Sequence, residues 1–134
     1  MTTLLEIVSP ERLLLSRPVD MVTMPGLEGD LAALGGHAPM IVVLRGGVVT
    51  LTEGGRATDR LYVAGGFAEI TADRCTVLAD EAIPVGEIDR AEAQRRLDAA
   101  QAQYEAADKL DITEIDAAMD RIQAARAMVD AAAG

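Results

Sequence analysis

The residues that could do chemistry are few and scattered along the chain. Glu28 and Asp30 are acids one residue apart in the glycine-rich stretch 25–40, and two neighbouring carboxyls can act as a general acid/base pair. The chain has one histidine, His37, and one cysteine, Cys75. Neither has sequence neighbours that suggest a Ser–His–Asp or Cys–His arrangement. The pattern therefore favours solvated or partner-binding acids over a catalytic pair.

Metal and nucleotide chemistry find little support in the sequence. With one histidine and one cysteine, a metal site would need carboxylates alone, and neither an internal disulfide nor a cysteine-based zinc cluster can form. A phosphate-binding P-loop needs a lysine directly after its second glycine, whereas the only lysine of this chain is Lys109. We expect no metal, no cofactor and no enzymatic activity.

Composition excludes further classes of function. The 134 residues carry a net charge of −10, from 22 acidic and 12 basic side chains. Such a surface repels phosphate backbones and anionic headgroups, so we expect no nucleic-acid binding and no direct membrane insertion. The first residues lack a basic segment followed by a long apolar run, which predicts a soluble, unexported protein.

Short strands separated by turns dominate the first two thirds of the chain. Gly-Gly pairs at 35, 46, 54 and 65 recur about every ten residues, which is typical of an antiparallel sandwich or barrel. We therefore predict an N-terminal antiparallel β-sandwich over residues 1–86. The stretch 25–40 fits neither a helix nor a strand and is predicted to be a surface loop. The predicted strands are 4–8, 12–15, 19–24, 40–44, 48–52, 59–64, 67–71 and 75–80.

The pattern changes to a helical one after residue 86. Asp89 with Glu92, and Asp111 with Glu114, are two potential capping boxes, in which the second acid reaches back to the first. Apolar residues then recur at spacings of three and four, which predicts a C-terminal antiparallel two-helix hairpin over residues 87–134. The apolar stripe is modest and includes Arg126, so we expect a detachable contact with the sandwich. The fold class is α+β.

Several short motifs together resemble one known family. Each motif is weak alone, but their order and spacing are specific and cover nearly the whole chain. The family is the epsilon subunit of the bacterial rotary (F-type) ATP synthase. The motifs are Val8-Ser9-Pro10-Glu11, Gly26-Leu27-Glu28-Gly29-Asp30-Leu31, Gly36-His37-Ala38-Pro39, Gly65-Gly66-Phe67-Ala68-Glu69-Ile70 and Thr76-Val77-Leu78-Ala79-Asp80.

This resemblance implies a non-catalytic subunit of the central stalk, peripheral to the cytoplasmic face of the plasma membrane. In the family, the sandwich links the gamma subunit to the ring of c subunits and so couples proton flow to ATP synthesis. The resemblance places Glu28, Gly29 and Asp30 at the c-ring and His37, Ala38 and Pro39 near gamma. It also implies that the hairpin can extend and contact the catalytic head subunits, alpha and beta, transiently.

Some members of the family bind ATP on the compact hairpin, through a motif that is degenerate here. The register is Ile88-Asp89-Arg90-Ala91-Glu92-Ala93, and Glu92 occupies the position at which those relatives have an arginine. Arg121 and Arg126 remain available on the second helix. Because a carboxylate repels a triphosphate, we expect no nucleotide site.

Two other interpretations remain open from the residues alone. The chain could be a stand-alone β-sandwich that binds a small ligand or a peptide and carries a regulatory hairpin. It could also be a hydrolase that uses Glu28 or Asp30, although no supporting residues accompany them. Stable co-purification with a gamma-like coiled coil distinguishes the first interpretation from a stalk subunit.

Overall fold

A computed structural model describes residues 2–133 as a ten-stranded sheet followed by two helices, which confirms the predicted fold class. The last strand is followed by one turn of 3₁₀ helix, Val85–Glu87. The strands are β1 (Thr3–Val8), β2 (Leu13–Val19), β3 (Met21–Gly26), β4 (Gly29–Leu34), β5 (Met40–Leu44), β6 (Gly47–Glu53), β7 (Arg56–Val63), β8 (Gly66–Ile70), β9 (Arg74–Ala79) and β10 (Ala82–Pro84). The helices are α1 (Arg90–Ala106) and α2 (Ile112–Ala133).

The strands form one continuous sheet in the order β10-β7-β6-β3-β5-β8-β9-β1-β2, and β4 pairs with β3 outside this path. All pairs are antiparallel except β1 and β9, which run parallel. The sheet folds over on itself, since Arg17 on the last strand of the path donates to Glu53 on β6 and to Asp59 on β7. These ion pairs link two distant parts of the sheet.

The core lies between the folded halves of the sheet. It is built almost wholly from aliphatic side chains, because strand positions alternate between the two faces and the inward positions hold Val, Ile, Leu and Met. Cys75 belongs to this core, and burial raises the pKa of its thiol to about 11. The thiol is therefore protonated at neutral pH and acts as a small apolar side chain.

The stretch 25–40 differs from the sequence prediction, because half of it is a strand. Strand β4 pairs with β3 from Met21 opposite Leu34 to Gly26 opposite Gly29, which leaves the two-residue turn Leu27-Glu28. The alternation of buried and exposed positions is present, but alanine fills positions on both sides. A pattern of polar and apolar residues therefore cannot reveal it.

Each helix begins at the aspartate that the sequence predicts. The Asp89 carboxylate accepts hydrogen bonds from the backbone N–H groups of Ala91 (2.9 Å) and Glu92 (3.2 Å), and the Asp111 carboxylate accepts one from Glu114 (3.2 Å). The predicted return contact from Glu92 is wrong, because its carboxylate instead accepts hydrogen bonds from Arg95. Helix α1 therefore has a single cap rather than a reciprocal capping box.

The hairpin packs on the outer face of β6 and β7, chiefly through the second half of α2. Tyr62 on β7 is 2% exposed and lies in a cluster with Ala93, Met128 and Ala131. Helix α1 packs mostly on α2 and reaches the sandwich through Ala93 and the bidentate Arg96–Glu81 ion pair. No helix within residues 2–133 combines the length and apolar character that crossing a membrane requires.

Candidate interaction surfaces

The turn between β3 and β4 presents the two acids singled out by the sequence. Glu28 is an exposed turn residue, and Asp30 begins β4. Gly26 must be glycine here, because a Cβ would lie 2.5 Å from the Gly29 carbonyl oxygen. Arg45 stabilises the turn by donating to the Gly26 carbonyl and, at 2.7 Å, to the Asp30 carboxylate. The result is an acidic turn in which Asp30 is paired with Arg45, and no ion pair of Glu28 is found within residues 2–133.

The His37–Pro39 segment lies in the connection from β4 to β5. The His37 backbone N–H donates to the Leu34 carbonyl (3.2 Å), and ring atom Nδ1 lies 2.6 Å from the Ala38 carbonyl, to which it donates. Ala38 and Pro39 are exposed. The structure thus gives His37 a local hydrogen-bonding role and leaves its two neighbours free to meet a partner.

Between these two segments lies an exposed apolar patch that sequence reasoning missed. Val43 stands opposite Phe67, and Phe67 stands opposite Leu78, so three outward side chains cross β5, β8 and β9 in a row. Ile41 is 70% exposed on the same face of β5. We call this patch the apolar face; it consists of Leu27, Ile41, Val43, Phe67 and Leu78.

A groove of about 720 Å³ runs between the apolar face and helix α2. Its floor includes Val43 and Phe67, and its far wall includes Asp120 and Gln123 of the hairpin. A second groove, of about 310 Å³, joins the apolar face to the acidic turn. Contiguous exposed apolar surface with a polar rim is characteristic of a protein-binding site. The turn, the apolar face and the hairpin therefore form one continuous surface.

The degenerate nucleotide motif is dispersed in the structure. Glu92 forms ion pairs with Arg95 and Arg96, and its pKa is lowered mainly by the hydrogen bond from Arg95. Arg121 and Arg126 line different grooves, the first beside Arg96 and the second beside strand β6. The expected position of Arg126 on the buried stripe is wrong, because this residue is exposed. Residues 2–133 contain no cluster of three or more potential metal ligands from His, Cys, Asp and Glu.

We predict that the isolated chain does not bind ATP at micromolar concentrations. Glu92 stays anionic at neutral pH, and together with Glu81 it already pairs with Arg95 and Arg96, so a triphosphate would have to displace these carboxylates to reach the two arginines. Isothermal titration calorimetry with ATP should give only dilution heat for the chain, and Glu92→Gln serves as a charge control. Micromolar affinity in the unmodified chain, unchanged by Glu92→Arg, would contradict the prediction.

The sandwich and its surfaces define a known class of protein. A family model described as the ATP synthase, Delta/Epsilon chain, beta-sandwich domain matches residues 2–85. Two solved structures share the fold. The Euglena gracilis mitochondrial ATP synthase, OSCP/F1/c-ring in rotational state 1, contains a chain with a TM-score of 0.78 at 22% identity, over 97% of this chain and 81% of that one. For a chain of the Tetrahymena thermophila mitochondrial ATP synthase central stalk/c-ring, the TM-score is 0.65 at 16% identity. This match covers 98% of this chain and 97% of that one.

Full-length relatives narrow the assignment. The ATP synthase epsilon chain of Granulibacter bethesdensis is 66% identical over 130 residues, which are 97% of this chain and 96% of the relative. The ATP synthase epsilon chain of Gluconacetobacter diazotrophicus is 51% identical over 129 residues, which are 96% of this chain and 92% of the relative. The chain belongs to the ATP synthase epsilon chain family.

Proposed function

We propose that this chain is a non-catalytic subunit of the central stalk, which connects a gamma subunit to the c-ring and couples proton flow to ATP synthesis. The observation that carries the proposal is the continuous surface made by the acidic turn and the apolar face, on a chain of this family. We further propose that residues 1–86 and 87–134 act as separate domains. We also propose that the chain lies at the cytoplasmic face of the membrane, as a peripheral part of the complex.

The proposal divides the surface between two partners. Glu28, Gly29 and Asp30 contact the polar loops of the c-ring, since they form the acidic turn. Gamma covers the apolar face together with the His37–Pro39 segment, because Met40 continues that segment directly into β5. Removal of the chain from a reconstituted synthase should abolish proton-coupled ATP synthesis, and adding it back should restore it. A synthase that stays coupled without the chain would contradict this function.

Reversing both acids of the turn should weaken coupling more than reversing either one. A single exposed ion pair contributes only about 0–1 kcal/mol, so Glu28→Lys alone should have a slight effect. Asp30→Lys also places a second cation beside Arg45 and loosens the turn. The measurement is proton-driven ATP synthesis in membrane vesicles, with the double reversal Glu11→Lys/Glu87→Lys as a control of equal charge. If the Glu28→Lys/Asp30→Lys protein makes ATP at the unmodified rate, the turn does not contribute to coupling.

The hairpin should inhibit ATP hydrolysis only weakly. From residue 111 onward the chain has five acids and two arginines, so α2 is net negative. We propose that the hairpin can also extend, as the resemblance implies, and that this helix then meets an acidic segment of the beta subunits, where like charges oppose docking. Deleting residues 111–134 should therefore raise hydrolysis by the assembled head by no more than about twofold. A many-fold rise would refute the prediction.

Charge reversal on α2 separates repulsion from mere solvation of an exposed helix. Asp116 and Asp120 are exposed on α2. If repulsion limits docking, Asp116→Lys/Asp120→Lys should strengthen inhibition of hydrolysis. The same change of charge on α1, Asp98→Lys/Glu105→Lys, should leave inhibition as it was. Equal inhibition by both double variants would contradict the electrostatic argument.

A further inference from the structure

A group of directional hydrogen bonds ties α2 to the sandwich at one place. The Gly46 backbone N–H donates to Oε1 of Gln123 (2.9 Å), and Nε2 of Gln123 donates to the Gly46 carbonyl (2.7 Å). The next residue of α2 after Gln123 is Ala124, and its carbonyl accepts a hydrogen bond from the Tyr62 hydroxyl (2.7 Å). We call these four residues the clasp. In each half of the clasp, a side chain of one unit bonds to the main chain of the other. The Gln123 side chain of α2 bonds to the main chain of Gly46, and the Tyr62 side chain of β7 bonds to the main chain of Ala124.

The close approach of the two backbones explains why residue 46 has no side chain. Gly46 is buried, and a Cβ added to it would lie 2.7 Å from the Cα of Ala124. The Gln123 amide satisfies both polar groups of Gly46, which would otherwise lose hydrogen bonds to water as the helix covers them. Only one orientation of the Gln123 amide places its oxygen at the Gly46 N–H and its NH₂ group at the Gly46 carbonyl. The clasp therefore fixes the helix in position and in rotation.

The other contacts of the hairpin with the sandwich are less directional than the clasp. The Arg96–Glu81 ion pair is more than a third exposed on both sides, so solvent screens it. The cluster around Tyr62 joins Ala93, Met128 and Ala131 to partly buried apolar side chains, and apolar packing is not directional. Those side chains are Val48, Ala64, Ile83, Val85, Ile88, Ala127 and Val129. The hydrogen bonds of the clasp depend on direction, and so they add a dependence on the rotation of α2 that these contacts supply less steeply.

We infer that the clasp positions the helical hairpin on the sandwich, with Gln123 and Tyr62 as positioning residues, and that its loss releases the hairpin while the sandwich stays folded. The sandwich core does not include any clasp residue, and neither does the apolar contact between the two helices. The inference concerns the isolated chain and does not depend on its role in the stalk.

Gln123→Glu provides a test with a signature that loss of packing cannot imitate. An ionised carboxyl accepts from the Gly46 N–H but cannot donate to the Gly46 carbonyl, whereas a protonated carboxyl does both, as the amide does. The docked hairpin therefore favours the protonated form, so docking should be present at low pH and lost as the pH rises. The unmodified chain should show no such change.

The pH series must account for the charged groups near the clasp. Mixed signs surround it, and the unmodified chain carries the same groups, so its own series is the reference. These groups are Arg45, Arg60, Asp80 and Glu81 from the sandwich, Arg96 from α1, and Asp120, Arg121, Arg126 and Asp130 from α2. Glutamate titrates near pH 4.3 when unperturbed, so a range from about pH 5 to 8 covers a raised value. This range stays above the isoelectric point of 4.4, which preserves solubility.

Hydrogen exchange followed by mass spectrometry measures the amide exchange rates of the hairpin and of the sandwich separately. At pH 8 the α2 amides of the Gln123→Glu protein should exchange at least about tenfold faster than those of the unmodified chain, and near pH 5 the ratio should fall. Sandwich amides should exchange at the unmodified rate throughout. Acrylamide quenching of Tyr62 fluorescence, in a Tyr104→Phe background that leaves one tyrosine, should rise and fall in parallel.

Two further variants complete the experiment. Gln101→Glu adds the same charge at an exposed position of α1 and should behave as the unmodified chain. Gln123→Leu keeps the size of the side chain without its hydrogen bonds and should release α2 at every pH. The inference is overturned if Gln123→Glu matches Gln101→Glu, if its effect is independent of pH, or if sandwich amides lose protection together with α2.

Discussion

Val43→Glu is expected to reduce the affinity of this chain for the gamma subunit, its proposed partner, by more than about a hundredfold, without unfolding the sandwich. Val43 is 56% exposed and central in the apolar face, where Phe67 stands opposite it. In the free chain a carboxylate at this position stays hydrated. In the complex it would be buried against apolar groups, and an unpaired buried charge costs several kcal/mol.

Leu13→Glu is a matched control for this change. Leu13 is 55% exposed, so the same substitution alters the free chain to a similar degree, but it lies on β2 outside the apolar face. Co-purification and calorimetry with a gamma-containing subcomplex measure the affinity, and thermal unfolding checks the fold. If the two variants bind gamma equally well, gamma docks elsewhere on the chain.

The largest loss of stability should follow from Gly66→Ala. Gly66 has φ +121°, a conformation that side-chain-bearing residues rarely adopt, and an added Cβ would lie 2.0 Å from the Leu78 carbonyl oxygen. Relief requires moving β8 away from β9 in the middle of the sheet. Backbone strain and overpacking each cost about 1–3 kcal/mol, so the expected loss of unfolding free energy is roughly 3–5 kcal/mol.

Two other glycines separate the causes of that loss. Gly54 has φ +62° with open space around it, so Gly54→Ala should cost about 1–2 kcal/mol from the backbone alone. Gly86 has open space and no such backbone constraint, so Gly86→Ala should be neutral or stabilise by up to about 1 kcal/mol. Denaturant unfolding gives the three values. If Gly66→Ala and Gly54→Ala lower the free energy of unfolding equally, the β8–β9 contact rearranges around the new methyl group at little energetic cost.

The sequence predicts those features that depend on local patterns. Gly-Gly pairs mark the turns after β5, β6 and β7, and Asp89 and Asp111 begin the helices, because turns and caps involve residues within a few positions of one another. Strand β4 escaped prediction because alanine fits both faces of a strand, and β10 because it has three residues.

Long-range contacts account for the rest of what sequence reasoning missed. Gln123 meets Gly46 across 77 residues, and Arg45 meets Asp30 across 15. The apolar face was hidden for a related reason. Val43 and Phe67 lie in apolar runs that read as core, and only the pairing of β5 with β8 shows that both side chains point outward. Which face a strand buries is a property of its neighbours in the sheet.

The parallel pairing of β1 with β9 has a consequence for synthesis on the ribosome. Leu4 pairs with Arg74, and Val8 with Leu78, so β1 must wait for β9, about 70 residues later in the chain, before its second edge is covered. Until then the nascent chain exposes an apolar β1–β2 hairpin, a slow and aggregation-prone stage for folds with distant strand pairs. The helices emerge after this event. A chain stopped beyond β10 can therefore close its sheet, whereas one stopped before residue 79 is left with an open edge and becomes a substrate for chaperones.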